Sequence, residues 1–167
     1  MVTLTYQERF KTIKGVFDEF TNRTLFNLQS RGIFDELVSP LSIGKESNVF
    51  IATEKGKKVI VKIFRMQNAD FNKMYSYIRK DTRYQFLQNK KRHIILAWAQ
   101  REYKNLIKSE RAKVRSPKTI GWKNHIIVEE FIGDEKPAPP LKDQYPKDPE
   151  KFFQETIKQM KKLYKTG

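Results

Sequence analysis

The sequence predicts an α+β fold in which helices precede and follow five short strands, the first three of them an antiparallel meander. Three observations predict it. Apolar residues recur at helical spacing up to about residue 36, β-branched and aromatic runs broken by short turns follow, and helical periodicity returns at residues 94–114 and again after residue 149. The order is helix, three strands, helix, two strands, linker, helix. Three consecutive strands with short connections form a meander, and no internal repeat interrupts the order.

Residues 3–36 read as two helical pieces. Phe10, Ile13, Phe17 and Phe20 share a face, Thr21-Asn22 offers a cap for a second piece carrying Leu25, Phe26 and Leu28, and Gly32 ends it. From Glu36 the period drops to two. Leu37–Ser42, Asn48–Thr53 and Lys58–Phe64 are the first strands, separated by a turn at Gly44 and by the hairpin turn Glu54-Lys55-Gly56-Lys57. Residues 66–94 are polar and basic. A short helix fits Asp70–Ile78, and the stretch as a whole is expected to be a flexible insertion that contributes no core segment. Ile94–Val114 is helical, with Ile95, Ala99, Glu102, Leu106 and Ser109 on one stripe, and Lys118–Trp122 and His125–Ile132 are strands joined at Lys123-Asn124. Five of the seven prolines then lie between Pro137 and Pro149, a stiff extended connector. Asp148-Pro149 caps a final helix whose buried side is expected to be Phe153, Ile157, Met160 and Tyr164. The chain thus divides into an N-terminal helical extension (1–36), a sheet domain (37–132) with its insertion at 66–94, a linker (133–149) and a last helix (150–167).

Composition narrows the function classes. No run approaches the roughly 18 apolar residues of a membrane span, and Glu8, Lys11 and Lys14 interrupt the amino terminus where a secretory signal needs an apolar core. A cytoplasmic protein without a membrane partner is expected. The absence of cysteine excludes a disulfide framework and a thiolate zinc site, and the two histidines, His93 and His125, form no ligand cluster, so any metal is expected to be held by oxygens or by a bound nucleotide. The net charge is +15, and all of the surplus lies in one window. Residues 55–118 hold 19 Lys and Arg against 4 Asp and Glu, leaving 15 of each sign elsewhere. Such a field favours phosphate-rich partners, nucleic acid above all, without selecting a sequence.

Two charged residues stand where apolar ones are expected. Lys62 shares a strand face with Ile60 and Phe64, and Glu102 interrupts the apolar stripe of the long helix. A helix packed on a sheet brings such intruders together, and a buried ammonium needs a partner acid or a bound anion. Upstream, the Gly44 turn carries the hydroxyls of Ser42 and Ser47, backbone amides and Lys45, all able to donate to phosphate oxygens.

These residues resemble the RIO atypical protein kinases, and among them the first subfamily in its archaeal-like form. The resemblance rests on Ser42-Ile43-Gly44-Lys45-Glu46-Ser47-Asn48-Val49, on Val61-Lys62-Ile63, on Ala99-Gln100-Arg101-Glu102-Tyr103-Lys104-Asn105-Leu106 and on Glu130-Phe131-Ile132-Gly133 followed by Pro137-Ala138-Pro139, with Arg23-Thr24-Leu25 upstream. It spans residues 17 to 165. It implies a protein-kinase-like N-lobe, an antiparallel five-stranded sheet with a glutamate-bearing helix, then a hinge and the first helix of a C-lobe. It also implies roles. Lys62 holds the α- and β-phosphates of ATP and Glu102 orients it. Ser42, Gly44, Lys45 and Ser47 cover the phosphates. The Glu130 carbonyl and the Ile132 amide bond the adenine edge, and Ile43, Val49, Ile60 and Phe131 form apolar walls.

Two departures matter. Glu129 falls where the family usually has an apolar residue at the back of the adenine pocket. The His-x-Asp-type catalytic loop and the later metal-binding aspartate are absent from these 167 residues, so the expectation is the N-terminal portion of a longer kinase, with no catalytic residue in this chain and no phosphoryl transfer by it alone. For the full protein the resemblance implies Mg²⁺ or Mn²⁺ with ATP, transfer to a Ser or Thr hydroxyl of a protein or to the enzyme itself, and work on the pre-small-subunit ribosomal particle and its rRNA. The charge admits an alternative: a non-catalytic basic module that binds rRNA or the ribosome.

Overall fold

The computed structural model describes residues 16–67 and 69–166, so the helical reading of Phe10 and Ile13 lies outside the described residues. Helix α1 (Glu19–Ser30) corresponds to the second expected piece, with its cap three residues earlier than Thr21. The cap is Asp18, whose carboxylate accepts from the Thr21 amide at 2.7 Å, while Thr21 itself is buried three positions into the first turn. Strands β1 (Glu36–Ile43), β2 (Ser47–Glu54) and β3 (Lys57–Phe64) follow as the expected meander, with β2 and β3 joined by a two-residue turn at Lys55-Gly56, both at positive φ. Strands β4 (Thr119–Lys123) and β5 (Ile126–Glu130) complete one antiparallel sheet of order β1-β2-β3-β5-β4.

Both faces of this sheet are covered, and the register decides which residues go where. Phe50, Ala52, Val59, Val61, Ile63, Ile126 and Val128 point to one side and pack against Leu25 and Leu28 of α1, with Phe17 and Phe34. Phe64 and Ile127 point to the other, against Ile94, Ile95 and Ala99 of helix α3 (Lys91–Arg111) and Met74 of helix α2 (Phe71–Ile78). Each such aliphatic or aromatic side chain contributes about 1.5–3 kcal/mol when taken fully out of water.

Residues 66–94 depart from expectation in one respect. They bury Met74 and Ile78 completely enough to extend the core, and Tyr84 closes a third cluster with Ile78 and Ala97. Only two or three large apolar side chains are needed to anchor an eight-residue amphipathic helix, which is too weak a signal amid so many charges. A polar clamp reinforces the anchor: Asp81 accepts from Arg83 Nη2 at 2.6 Å and from Arg101 Nε at 3.0 Å, and Arg83 Nη2 donates to Asn105 Oδ1 at 3.1 Å. The two guanidinium groups hold the Asp81 carboxyl well below the usual carboxylate range.

Helix α3 is lined by aromatic pairs on both flanks. Trp98 lies 5.8 Å from Tyr77 of α2, and Tyr103 stacks at 5.2 Å on Trp122 of β4. After β5, the chain turns through a bridge between Gly133 and Pro137 into an exposed connector. Helix α4 (Pro149–Lys165) begins as the sequence predicts, with Asp148 accepting from the Lys151 amide at 3.0 Å. Its expected buried side is not buried: Phe153, Met160 and Tyr164 are 56%, 58% and 89% exposed. Among the described residues, α4 is tied to the chain by polar contacts, Lys162 Nζ donating to the Lys113 carbonyl and the Arg115 amide to Gln159 Oε1, which leave these apolar side chains uncovered. No helix among the described residues is long and apolar enough to cross a membrane.

Candidate functional site

The register gathers the charged intruders and the glycine turn on one face. Lys62 lies between Val49 on one neighbouring strand and Ile127 on the other, Ile51 lies opposite Ile60, Ser47 opposite Phe64, and Ser42 opposite Val49, so these side chains share the side of the sheet that α3 covers only in part. Lys62 Nζ donates to Glu102 Oε1 at 2.6 Å, with 23% and 30% of the two side chains exposed. The lysine is therefore a half-shielded cation open to the cleft, and the Phe64 ring lies 5.2 Å from it on the protected side. Beyond the pair, a cavity of about 410 Å³ runs between α2 and α3, with Met74, Trp98 and Leu106 in its walls and Glu102 at its edge.

The turn between β1 and β2 is shaped by close backbone approach. The Gly44 amide donates to the Ser47 carbonyl at 2.9 Å, and a Cβ at Gly44 would stand 2.8 Å from that oxygen, so no other residue fits without moving the turn. Arg65, at the end of β3, holds it down: its amide donates to the Glu46 carbonyl at 2.9 Å and its Nη1 to the Gly44 carbonyl at 3.3 Å. Lys45 extends into solvent above it.

At the other end, Val49 and Ile60 offer an apolar floor. Ile43 and Ile132 flank it from the margins, 62% and 50% exposed, and Ile43 pairs with Asn48 one step out of phase with the Lys62 row. Glu130 is held at the strand end, its amide donating to the Lys118 carbonyl at 2.9 Å and its carboxylate accepting from the Lys118 amide at 3.2 Å. Glu129 lies opposite Ile60 on the cleft face, between it and Thr119. Burial pushes its carboxyl up, the charge of Lys62 opposes that, and Glu102 adds to it.

One residue escaped the sequence reading. Lys58 shares the face of Ile60 and Lys62, lies 5.7 Å from the Phe131 ring and donates to the Glu135 carbonyl at 2.8 Å, which straps β3 to the segment after β5. Its alternation with Lys62 was the only signal available, since its partner Glu135, met through both carbonyl and carboxylate, lies 77 residues away.

Among the described residues, no group of three or more His, Cys, Asp or Glu could hold a metal ion. A nucleotide fits better. The site presents a cation steadied by an acid, a tight amide-bearing turn and an apolar floor, the elements that a polyphosphate attached to a flat base requires.

The RIO domain pattern matches residues 48–167. The chain is similar to the RIO-type serine/threonine-protein kinase Rio1 of Methanocaldococcus jannaschii, 37% identical over 97% of this chain and 56% of that protein, and to its Haloferax volcanii counterpart, 32% identical over 96% and 56%. It is also similar to the human serine/threonine-protein kinase RIO1, 30% identical over 92% of this chain and 28% of that one. The chain spans just over half the length of the two archaeal relatives. Among solved structures, the Rio2 kinase–ADP/Mg²⁺–phosphoaspartate complex from Chaetomium thermophilum superposes with a TM-score of 0.62 at 22% identity, covering 81% of this chain and 38% of that one. The fold is protein-kinase-like.

Proposed function

This chain belongs to the RIO domain family of serine/threonine kinases, and on that premise we propose that it forms the ATP-binding lobe of such a kinase. The observation that carries the reading is the 2.6 Å contact between Lys62 and Glu102 on the face that also holds the Gly44 turn. In it, Lys62 takes oxygens of the α- and β-phosphates, and Glu102 fixes the ammonium where those oxygens arrive. The turn from Ser42 to Ser47, with Gly44 and Lys45, lies over the phosphates and donates amide and hydroxyl hydrogens. Val49 and Ile60 carry the base, with Ile43 and Phe131 at its sides, and the Glu130 carbonyl and Ile132 amide meet its edge.

Mg²⁺ or Mn²⁺ would enter with the nucleotide and neutralise phosphate charge, and among the described residues no cluster of three or more acids or histidines would hold it apart from the phosphates. The full protein transfers the γ-phosphoryl group to a Ser or Thr hydroxyl of a protein or to its own carboxylate. These 167 residues contain no His-x-Asp motif, so the chain alone is expected to bind nucleotide without turning it over.

The test is calorimetry with a non-hydrolysable ATP analogue and Mg²⁺ on the chain and on Lys62→Ala. Saturable binding by the wild type and a loss of at least about tenfold in the variant is the expected result, since a charge-assisted contact to phosphate contributes about 1.5–3 kcal/mol. Absence of binding in both overturns the reading.

A second element of the proposal is the partner. Arg79 and Lys80 just after α2, and Lys91, Arg92, Lys104, Lys108 and Arg111 along α3, are all exposed, which suits contact with rRNA phosphate during maturation of the small ribosomal subunit in the cytoplasm. The same surface is what favours the non-catalytic rRNA-binding reading, and nucleotide binding separates the two.

A further inference from the structure

Glu129 faces the cleft, and nothing in the phosphoryl chemistry above uses it. It lies opposite Ile60, two positions along β5 from Ile127, which pairs with Lys62, so the acid stands one step from the lysine toward the base end of the site. Its carboxylate is half-buried and takes no hydrogen bond from any described residue, and the hydroxyl of Thr119 on its other side is buried without a partner. We propose that Glu129 selects the nucleobase, its carboxylate accepting an N–H from the exocyclic amine at position 6 of a purine, so that adenine nucleotides are taken and 6-oxopurine nucleotides are rejected.

The inference rests on the ATP reading and deepens it. With the base on Val49 and Ile60 and the phosphates running to Lys62, the base edge meets the end of β5, where Glu129 precedes the Glu130 carbonyl. A carboxylate only accepts. An amine at position 6 supplies two donors, one for the Glu130 carbonyl and one for Glu129. A carbonyl there sets acceptor against acceptor and leaves a half-buried charge without compensation, the kind of mismatch that discriminates strongly between otherwise similar ligands.

The experiment compares ATP with ITP, which differ in this substituent and the proton on N1, by calorimetry with Mg²⁺ on the wild type, Glu129→Gln and Glu129→Leu. The wild type prefers ATP by at least about tenfold. Glutamine, whose amide can donate, shrinks that ratio at least about fivefold by improving ITP, and leucine shrinks it by weakening ATP. If the variants lose both nucleotides equally and the ratio stands, Glu129 merely steadies Lys62 and the inference is overturned. If the wild type binds neither nucleotide, the ATP reading itself falls and takes the inference with it. The leucine variant keeps the test open should glutamine fold poorly.

Discussion

Lys62 and Glu102 were legible because each breaks a period: one interrupts a strand alternation, the other a helical stripe. His125 broke nothing, and its role emerges only from the fold. It is fully buried, its Nε2 lies 2.9 Å from Thr21 Oγ1, its ring stacks on Phe20 at 5.1 Å, and burial pushes its pKa down to about 4. The folded value lies below the unfolded value of 6.5, so the unfolded chain takes the proton more readily. The contribution of this residue to stability is complete above pH 6.5 and is lost as pH falls toward 4, a loss of roughly 3 kcal/mol over that window. Thermal melts between pH 7 and 4 should therefore fall more steeply for the wild type than for His125→Gln, and parallel curves would refute the assignment. Nothing in the sequence pairs residue 21 with residue 125, because contacts across 104 positions leave no local pattern.

At the scale of elements, the strands were readable to within two residues and α3 to within three, its start blurred because Lys90 provides no side-chain cap. The insertion was misread as contributing nothing to the core, since its two anchors, Met74 and Ile78, are outnumbered by charges. What fixes it to α3 is Asp81, bridging Arg83 and Arg101 on the residue next to Glu102. Asp81→Ala removes the acid from a largely shielded pair of guanidinium groups and is expected to cost about 1–3 kcal/mol. Hydrogen exchange should show faster opening of α2 than of β2 and β3. Equal protection in wild type and variant would mean that Met74 and Ile78 hold α2 unaided.

For the whole molecule, the layered arrangement followed from periodicities that switch from helical to alternating and back, but the reach of α4 did not. A period marks an apolar stripe without saying what covers it, and here Phe153, Met160 and Tyr164 are uncovered. The charge window predicts behaviour at the same scale. Affinity for an rRNA fragment should fall about a hundredfold between roughly 50 and 200 mM salt, the slope of about four phosphate contacts, and a flat titration would remove the electrostatic partner. The aromatic pairs beside α3 have a practical sequel. Of the chain's two tryptophans, Trp98 belongs to the glutamate helix and meets Tyr77 of α2, and Trp122 of β4 stacks on Tyr103 of the same helix. Intrinsic emission is thus a label-free gauge of that helix: any displacement of it when a ligand enters changes the polarity around one indole or both, and the signal can be followed in real time.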